Sequence, residues 1–204
     1  EIRLLDFIDV DRDATVDQFM RRYQVEARQA ERVEETALMI LEQLDGSIDG
    51  PENEGDVQFL RWAAQLHEIG ISVAHNGYHK HGAYILTYAD TPGYSKKDQA
   101  RLALLVFAHR GKLEKVSALP SGDPNWRLVF ALRLAALLHR SRDGVPVPPF
   151  VVRASGQGFQ LDLPGEWLEV HPLSAVALTE EIAVWQRIGV ELKLRQRSLE
   201  RLAG

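Results

Sequence analysis

The sequence predicts a mostly α-helical domain over residues 1–143 followed by a small α+β domain over residues 144–204. Three observations carry that reading. Ala30, Val33, Ala37, Ile40, Leu41 and Leu44 recur at spacings of three and four, the apolar stripe of an amphipathic helix. At Gly144 the character of the chain changes, and Val145-Pro146-Val147-Pro148-Pro149 reads as a stiff linker. Beyond it, residues 150–154 and 159–163 read as strands joined through Ser155-Gly156-Gln157-Gly158, a hairpin signal.

Taken in order, an apolar start at Leu4 runs into the acidic series Asp6, Asp9, Asp11 and Asp13, and Asp13 or Thr15 is positioned to cap a short helix ending near Arg22. The striped helix over residues 27–44 stops at Gly46 and Gly50-Pro51. A second helix, rich in Leu and Ala and containing Trp62, is expected over residues 57–71, with Gly70 marking its end. A loop around Asn76-Gly77 then leads to a short helix over 81–89, and Thr91-Pro92-Gly93 is a turn. Ser95 has the chemistry of an N-cap and Asp98 that of its capping-box partner, opening a helix that runs to about Ala108. After the break at Pro120 and Pro124, a long helix is expected over 125–142. In the second domain, a helix over 174–188 and a last strand from Val190 complete the pattern, and the tail after Gln196 is helical or frayed.

The 204 residues contain no cysteine, so disulfide frameworks and thiolate metal sites are excluded. No apolar run approaches the roughly 20 residues that span a bilayer. The start, Glu1-Ile2-Arg3-Leu4, has neither the basic region nor the apolar core of a secretion signal. A soluble, cytoplasmic chain is expected, and the lack of an initiator Met suggests a piece of a longer one. Residues 1–60 carry 16 acidic and 6 basic side chains, whereas residues 61–150 carry 6 acidic and 12 basic. A cationic middle on an acidic chain attracts polyanions locally, whatever the global sign. Scattered, solvated Lys and Arg would give the same composition.

Five of the seven histidines lie between positions 67 and 109: His67, His75, His79, His81 and His109. Imidazole and carboxylate suit Zn, Mn or Fe. The spacing is weak for a metal: His67 and Glu68 diverge by about 100° on a helix, and His79 and His81 share a face only in an extended segment. A buried histidine with a satisfied hydrogen bond is the alternative, most strongly for His67 among Ala63, Ala64 and Leu66. The second chemistry is phosphate binding. Lys80, Lys96, Lys97, Arg101, Arg110, Lys112 and Lys115 form a cationic run continued by Arg133, Arg140 and Arg142, and such groups match phosphate oxygens. Stacking aromatics are not interleaved through it, which disfavours nucleic acid. GxSxG, the P-loop and GxGxxG are absent.

Trp62-Ala63-Ala64-Gln65-Leu66-His67-Glu68-Ile69-Gly70, Gly77-Tyr78-His79-Lys80-His81-Gly82-Ala83-Tyr84-Ile85-Leu86, Pro92-Gly93-Tyr94-Ser95 and His109-Arg110-Gly111-Lys112 together resemble the C-terminal region of the exopolyphosphatase and guanosine pentaphosphate phosphatase (Ppx/GppA) family. Arg22-Tyr23-Gln24-Val25 and the module with Trp167 and Trp185 fit the same pattern. The resemblance implies a helical domain similar to HD phosphohydrolases followed by a small α/β module. It also implies a Mg-dependent catalytic half of actin-like domains N-terminal to this region, and a homodimer. Its implied ligand is inorganic polyphosphate or guanosine pentaphosphate, held here by His79, Lys80, His81, Arg110 and Lys112 without cleavage. HD phosphohydrolases hold a metal with a His, a His-Asp pair and a later Asp. By that resemblance Gln29, His67-Glu68 and Ala136 stand at those positions, so no metal site or catalytic residue is expected in this chain. The alternative is a metal-dependent HD-type phosphohydrolase using His67, Glu68, His79, His81 and His109.

Overall fold

The computed structural model describes residues 4–202, with side chains from Val10 onward. Over residues 4–138 the described elements are helices joined by loops: α1 (Leu4–Arg22), α2 (Ala27–Asp45), α3 (Glu54–Leu66), α4 (Tyr78–Tyr88), α5 (Lys96–Ala108) and α6 (Asn125–Leu138), with 3-10 turns at Ile69–Ser72 and Glu114–Val116. A small α/β layer follows: β1 (Val151–Ser155), β2 (Gly158–Pro164), α7 (Gly165–Val170), α8 (Pro172–Gln186), β3 (Leu192–Arg197) and the short α9 (Leu199–Leu202). The mostly α architecture with a small α+β module is therefore as the sequence predicts.

α2 buries the stripe read from its periodicity, Ala30, Val33, Ala37, Ile40 and Leu41, against α3 and α6. α6 is buried almost all round, from Leu128 to Ala135, and is the central helix of the bundle. α5 opens with the expected capping box: the Ser95 hydroxyl accepts from the Asp98 amide at 3.1 Å, and the Ser95 amide donates to Asp98 Oδ2 at 3.4 Å. In the sheet, β2 is central, antiparallel to β1 and parallel to β3, with Asp162 opposite Val151 and Arg195. One hydrophobic core runs through both parts; Phe130 of α6 stacks on Phe159 of β2, and both meet the edge of Trp185 from α8.

Four boundaries depart from expectation. α1 is a full helix from Leu4, not a short one after an acidic loop. Tertiary bonds hold it: Thr15 Oγ1 donates to Pro92 O, Arg12 pairs with Asp98, and Asp13 accepts from Trp62 Nε1 at 2.6 Å. α3 stops at Leu66, so His67 and Glu68 lie in the turn after it and not on the helix. α4 starts at Tyr78, three residues before the expected 81, which puts His79 on a helix and not in a loop. α6 ends at Leu138, where Arg142 takes a left-handed φ of 57° and turns the chain out. α7 was not read from the sequence at all. Among the described residues no helix is long and apolar enough to cross a membrane.

Candidate functional site

The turn after α3 and the start of α4 approach so closely that only glycine fits between them. A Cβ on Gly70 would collide with the Tyr78 carbonyl and lie 2.6 Å from the Gly82 amide nitrogen. Gly77, at φ 68°, starts α4 in the left-handed region that glycine enters without steric cost. This contact carries His67, Tyr78 and His79 to the C-terminal end of α5, where His109 caps the helix.

His67 and His109 are 2 % and 3 % exposed, with rings 5.2 Å apart and edge to face. Each turns Nδ1 to the carbonyl three residues back, Ala64 for His67 and Val106 for His109. A carbonyl only accepts, so both rings carry their proton on Nδ1 and leave Nε2 as a lone pair. Burial is the main cause of the lowered pKa of both; His67 adds to it at His109, whereas Glu68 partly offsets it at His67. Tyr78 lies 5.5 Å from the His109 ring. His109 Nε2 and His79 Nδ1 are buried without a hydrogen-bond partner.

Beside this neutral cluster is a concentration of cations. His79 is 7 % exposed and stacks on Phe107. Its Nε2 and the Lys115 ammonium both face Gly111, within 3.3 and 3.5 Å of where a Cβ would sit. Lys115 Nζ lies 4.3 Å over the Phe107 ring and donates to the Arg110 carbonyl. Arg110 covers the Tyr78 ring at 5.1 Å and reaches its hydroxyl. Lys80, whose charge acts on both His79 and Lys115, is exposed, as is Lys112, two residues after Arg110. Burial first, then Lys115, Arg110, Lys80 and Arg133, lower the His79 pKa to about 4. Burial, then Arg133 and Lys80, lower that of Lys115 to about 7. Among the described residues none of Lys80, Arg110, Lys112 and Lys115 has a carboxylate ion pair.

Most of the remaining cations of the middle segment are tied to partners of their own. Arg101 pairs with Asp56 and bonds Asn125, Arg127 pairs with Asp45 and Asp56, and Lys96 bonds Gln99. Arg133 is clamped by Glu181, and Arg142 bridges Glu26 and Glu68. His81, two residues beyond His79, points about 200° away from it, because α4 is a helix. Phe107 joins this cationic surface with no signal in the sequence, whereas Lys115 was legible through its place in the same cationic run as Arg110 and Lys112.

The four positions compared with an HD metal site lie between α2, the turn after α3 and the end of α6. Gln29 donates to the His139 carbonyl at 2.9 Å and accepts from Arg32. Thr36 bonds the His139 ring at 2.7 Å. Glu68 Oε1 is 3.8 Å from His67 Nε2 but 2.6 Å from Arg142 Nη1, so a guanidinium already neutralises it. Ala136 sits half-buried on α6 and offers no donor. Among the described residues no group of three or more His, Asp or Glu is placed to hold a metal ion.

A family model described as Ppx/GppA phosphatase, domain III, matches residues 11–182. The chain is 35 % identical over 188 residues to a guanosine-5'-triphosphate,3'-diphosphate pyrophosphatase of Aeromonas hydrophila, covering 90 % of this chain and 38 % of that one. It is 33 % identical to the same-named protein of Aeromonas salmonicida, with the same coverage. To that of Pseudoalteromonas translucida it is 31 % identical over 184 residues, 89 % of this chain and 37 % of the other. The chain thus spans a little over a third of the length of the curated relatives it matches.

Proposed function

Since the chain belongs to the Ppx/GppA phosphatase family, we propose that it is the part of a phosphoanhydride hydrolase that holds the phosphate chain of the substrate without cleaving it. The observation that supports this reading is the cationic mouth around the neutral His79: Lys80, Arg110 and Lys115, with Lys112 two residues along the chain from Arg110, have no carboxylate ion pair among the described residues. Like charges crowded together repel one another, and an anion beside them relieves that cost. Arg110 offers a planar fork and the lysines point charges, the two modes by which proteins hold phosphate.

The relatives' names point to guanosine 5'-triphosphate,3'-diphosphate as ligand, and inorganic polyphosphate presents the same chain of phosphoryl groups. His81 belongs to the outer edge of this surface, not to the mouth itself. Cleavage belongs to the remainder of the longer family protein.

The test is a titration of this chain with polyphosphate and with the guanosine pentaphosphate. About four phosphate contacts predict an affinity that falls on the order of 50-fold between ~50 and ~200 mM salt, by counterion release from a single-stranded polyanion. The Lys80→Gln/Arg110→Gln/Lys112→Gln variant should bind weakly with a flat salt slope. Binding that is absent, or indifferent to salt, overturns the reading.

The metal-dependent reading has less support. Arg142 lies against Glu68, and its positive charge opposes a cation there. Gln29 and Ala136 supply no charged ligand. Metal analysis of the purified chain separates the two: stoichiometric Mn, Fe or Zn lost on His67→Ala would favour it.

A further inference from the structure

We propose that Lys115 is a site of covalent acylation by acyl phosphates, with the cationic mouth recruiting the reagent and Lys115 Nζ acting as the nucleophile. The proposal rests on the arrangement of groups and does not require that a phosphate chain occupy the mouth.

Most lysines resist acylation because the ammonium has no lone pair. Lys115 is placed differently. From α4 it faces His79 and Lys80, from the loop after α5 Arg110, and from α6 the buried Arg133, whose charge is paired with Glu181 of α8. Its sequence neighbour Glu114 is exposed and makes no ion pair with it. Like charges and half-burial both favour the neutral amine, and its pKa is lowered to about 7. The neutral amine can still donate an N–H to the Arg110 carbonyl and has its lone pair free, while the Phe107 ring loses only the charge-dependent part of its contact. Lysines desolvated or set beside other cations are the ones that act as nucleophiles.

The same cations select the electrophile. An acyl phosphate brings a doubly negative phosphoryl group, which Arg110, Lys80 and Lys112 attract and hold as it departs. Nζ attacks the acyl carbon, the N–C bond forms, and the C–O bond to phosphorus breaks. The phosphate leaves with that electron pair and takes the proton lost from Nζ. No oxidant or other co-reactant is needed. The product amide removes a positive charge from the mouth and places an acyl group beside His79.

The experiment treats the chain with acetyl phosphate from pH 6.5 to 9.5 and follows each lysine by peptide mass spectrometry. Lys115 is expected to acetylate on the order of tenfold faster than exposed Lys96 and Lys97 at pH 7.5, its rate levelling above about pH 8 while theirs keep rising. The Arg110→Gln/Lys112→Gln variant, which leaves Lys80 and Arg133 beside Lys115, should lose this preference for acetyl phosphate yet keep fast labelling by an uncharged acetyl ester. Labelling of Lys115 no faster than Lys96, a rate still rising tenfold per pH unit to pH 9.5, or a preference unchanged in the variant each overturns the proposal. Added tripolyphosphate should slow the labelling; a rate it leaves unchanged counts against the phosphate-chain reading alone, so the two ideas fail separately.

Discussion

Replacing Glu181 by Gln should destabilise the protein more than any other isosteric change on α8. Arg133 (4 % exposed) and Glu181 (9 % exposed) form a two-pronged pair, Nε to Oε1 at 2.6 Å and Nη2 to Oε2 at 2.8 Å. Arg133 Nη1 also donates to the Ala108 carbonyl at 2.6 Å, and Trp185 Nε1 donates to Glu181 Oε1 at 2.7 Å. The network ties α5, α6 and α8 together, and so joins the helical bundle to the α/β layer. Gln keeps the volume but turns an amide donor toward the guanidinium and removes the charge that compensates it. Leaving one buried charge unpaired costs about 3–5 kcal/mol. For a chain of this length about 2–4 °C of melting temperature follows each kcal/mol, so the loss should be roughly 6–20 °C. Thermal unfolding followed by circular dichroism measures it.

The double variant Arg133→Met/Glu181→Leu completes the argument. Removing both charges abolishes their desolvation penalty, leaving only Ala108 O and Trp185 Nε1 without partners, at about 1–3 kcal/mol each. It should therefore be clearly more stable than the sum of the single changes predicts. A Glu181→Gln melting temperature within about 2 °C of the parent, or strict additivity in the cycle, would show that the pair is not the buried lock described here.

Two further outcomes follow from the same geometry. Gly70→Ala has to push the Tyr78 carbonyl and the Gly82 amide aside, both backbone atoms; a loss of at least about 2 kcal/mol in urea unfolding is expected from such overpacking, accompanied by weaker phosphate-chain binding as α4 shifts, and a neutral effect on both would contradict the close approach. The buried histidines set the acid response. His67, His79, His109 and His139 all have pKa values below the ordinary 6.5, so the unfolded chain binds more protons than the folded one below that pH. Their contribution is fully present above about pH 6.5 and is lost as pH falls toward their folded values, by up to about 1.4 kcal/mol per pH unit for each ring. Urea midpoints should therefore drop between pH 7 and 5, above the range where carboxylates titrate, and a flat profile there would refute the neutral-histidine cluster.

What the sequence determined by itself is local. The stripe of α2, the capping box at Ser95 and Asp98 and the hairpin around Gly156 depend on residues a few positions apart, and all three appear where the pattern puts them. The histidine-rich middle and its cationic run were equally legible as composition. The tertiary structure decided which of those groups act together. α4 begins at Tyr78 because Gly70 and Gly82 let two backbones touch, a long-range contact that no propensity encodes. Arg133 looked like one more cation and is instead locked to a carboxylate 48 positions away. Lys115 reads in the sequence as one member of the cationic run, yet its lowered pKa arises from burial first and then from Arg133 of α6 and Lys80 of α4, which only the fold brings beside it. Charge state depends on distance and desolvation, and those quantities exist only once the chain has folded.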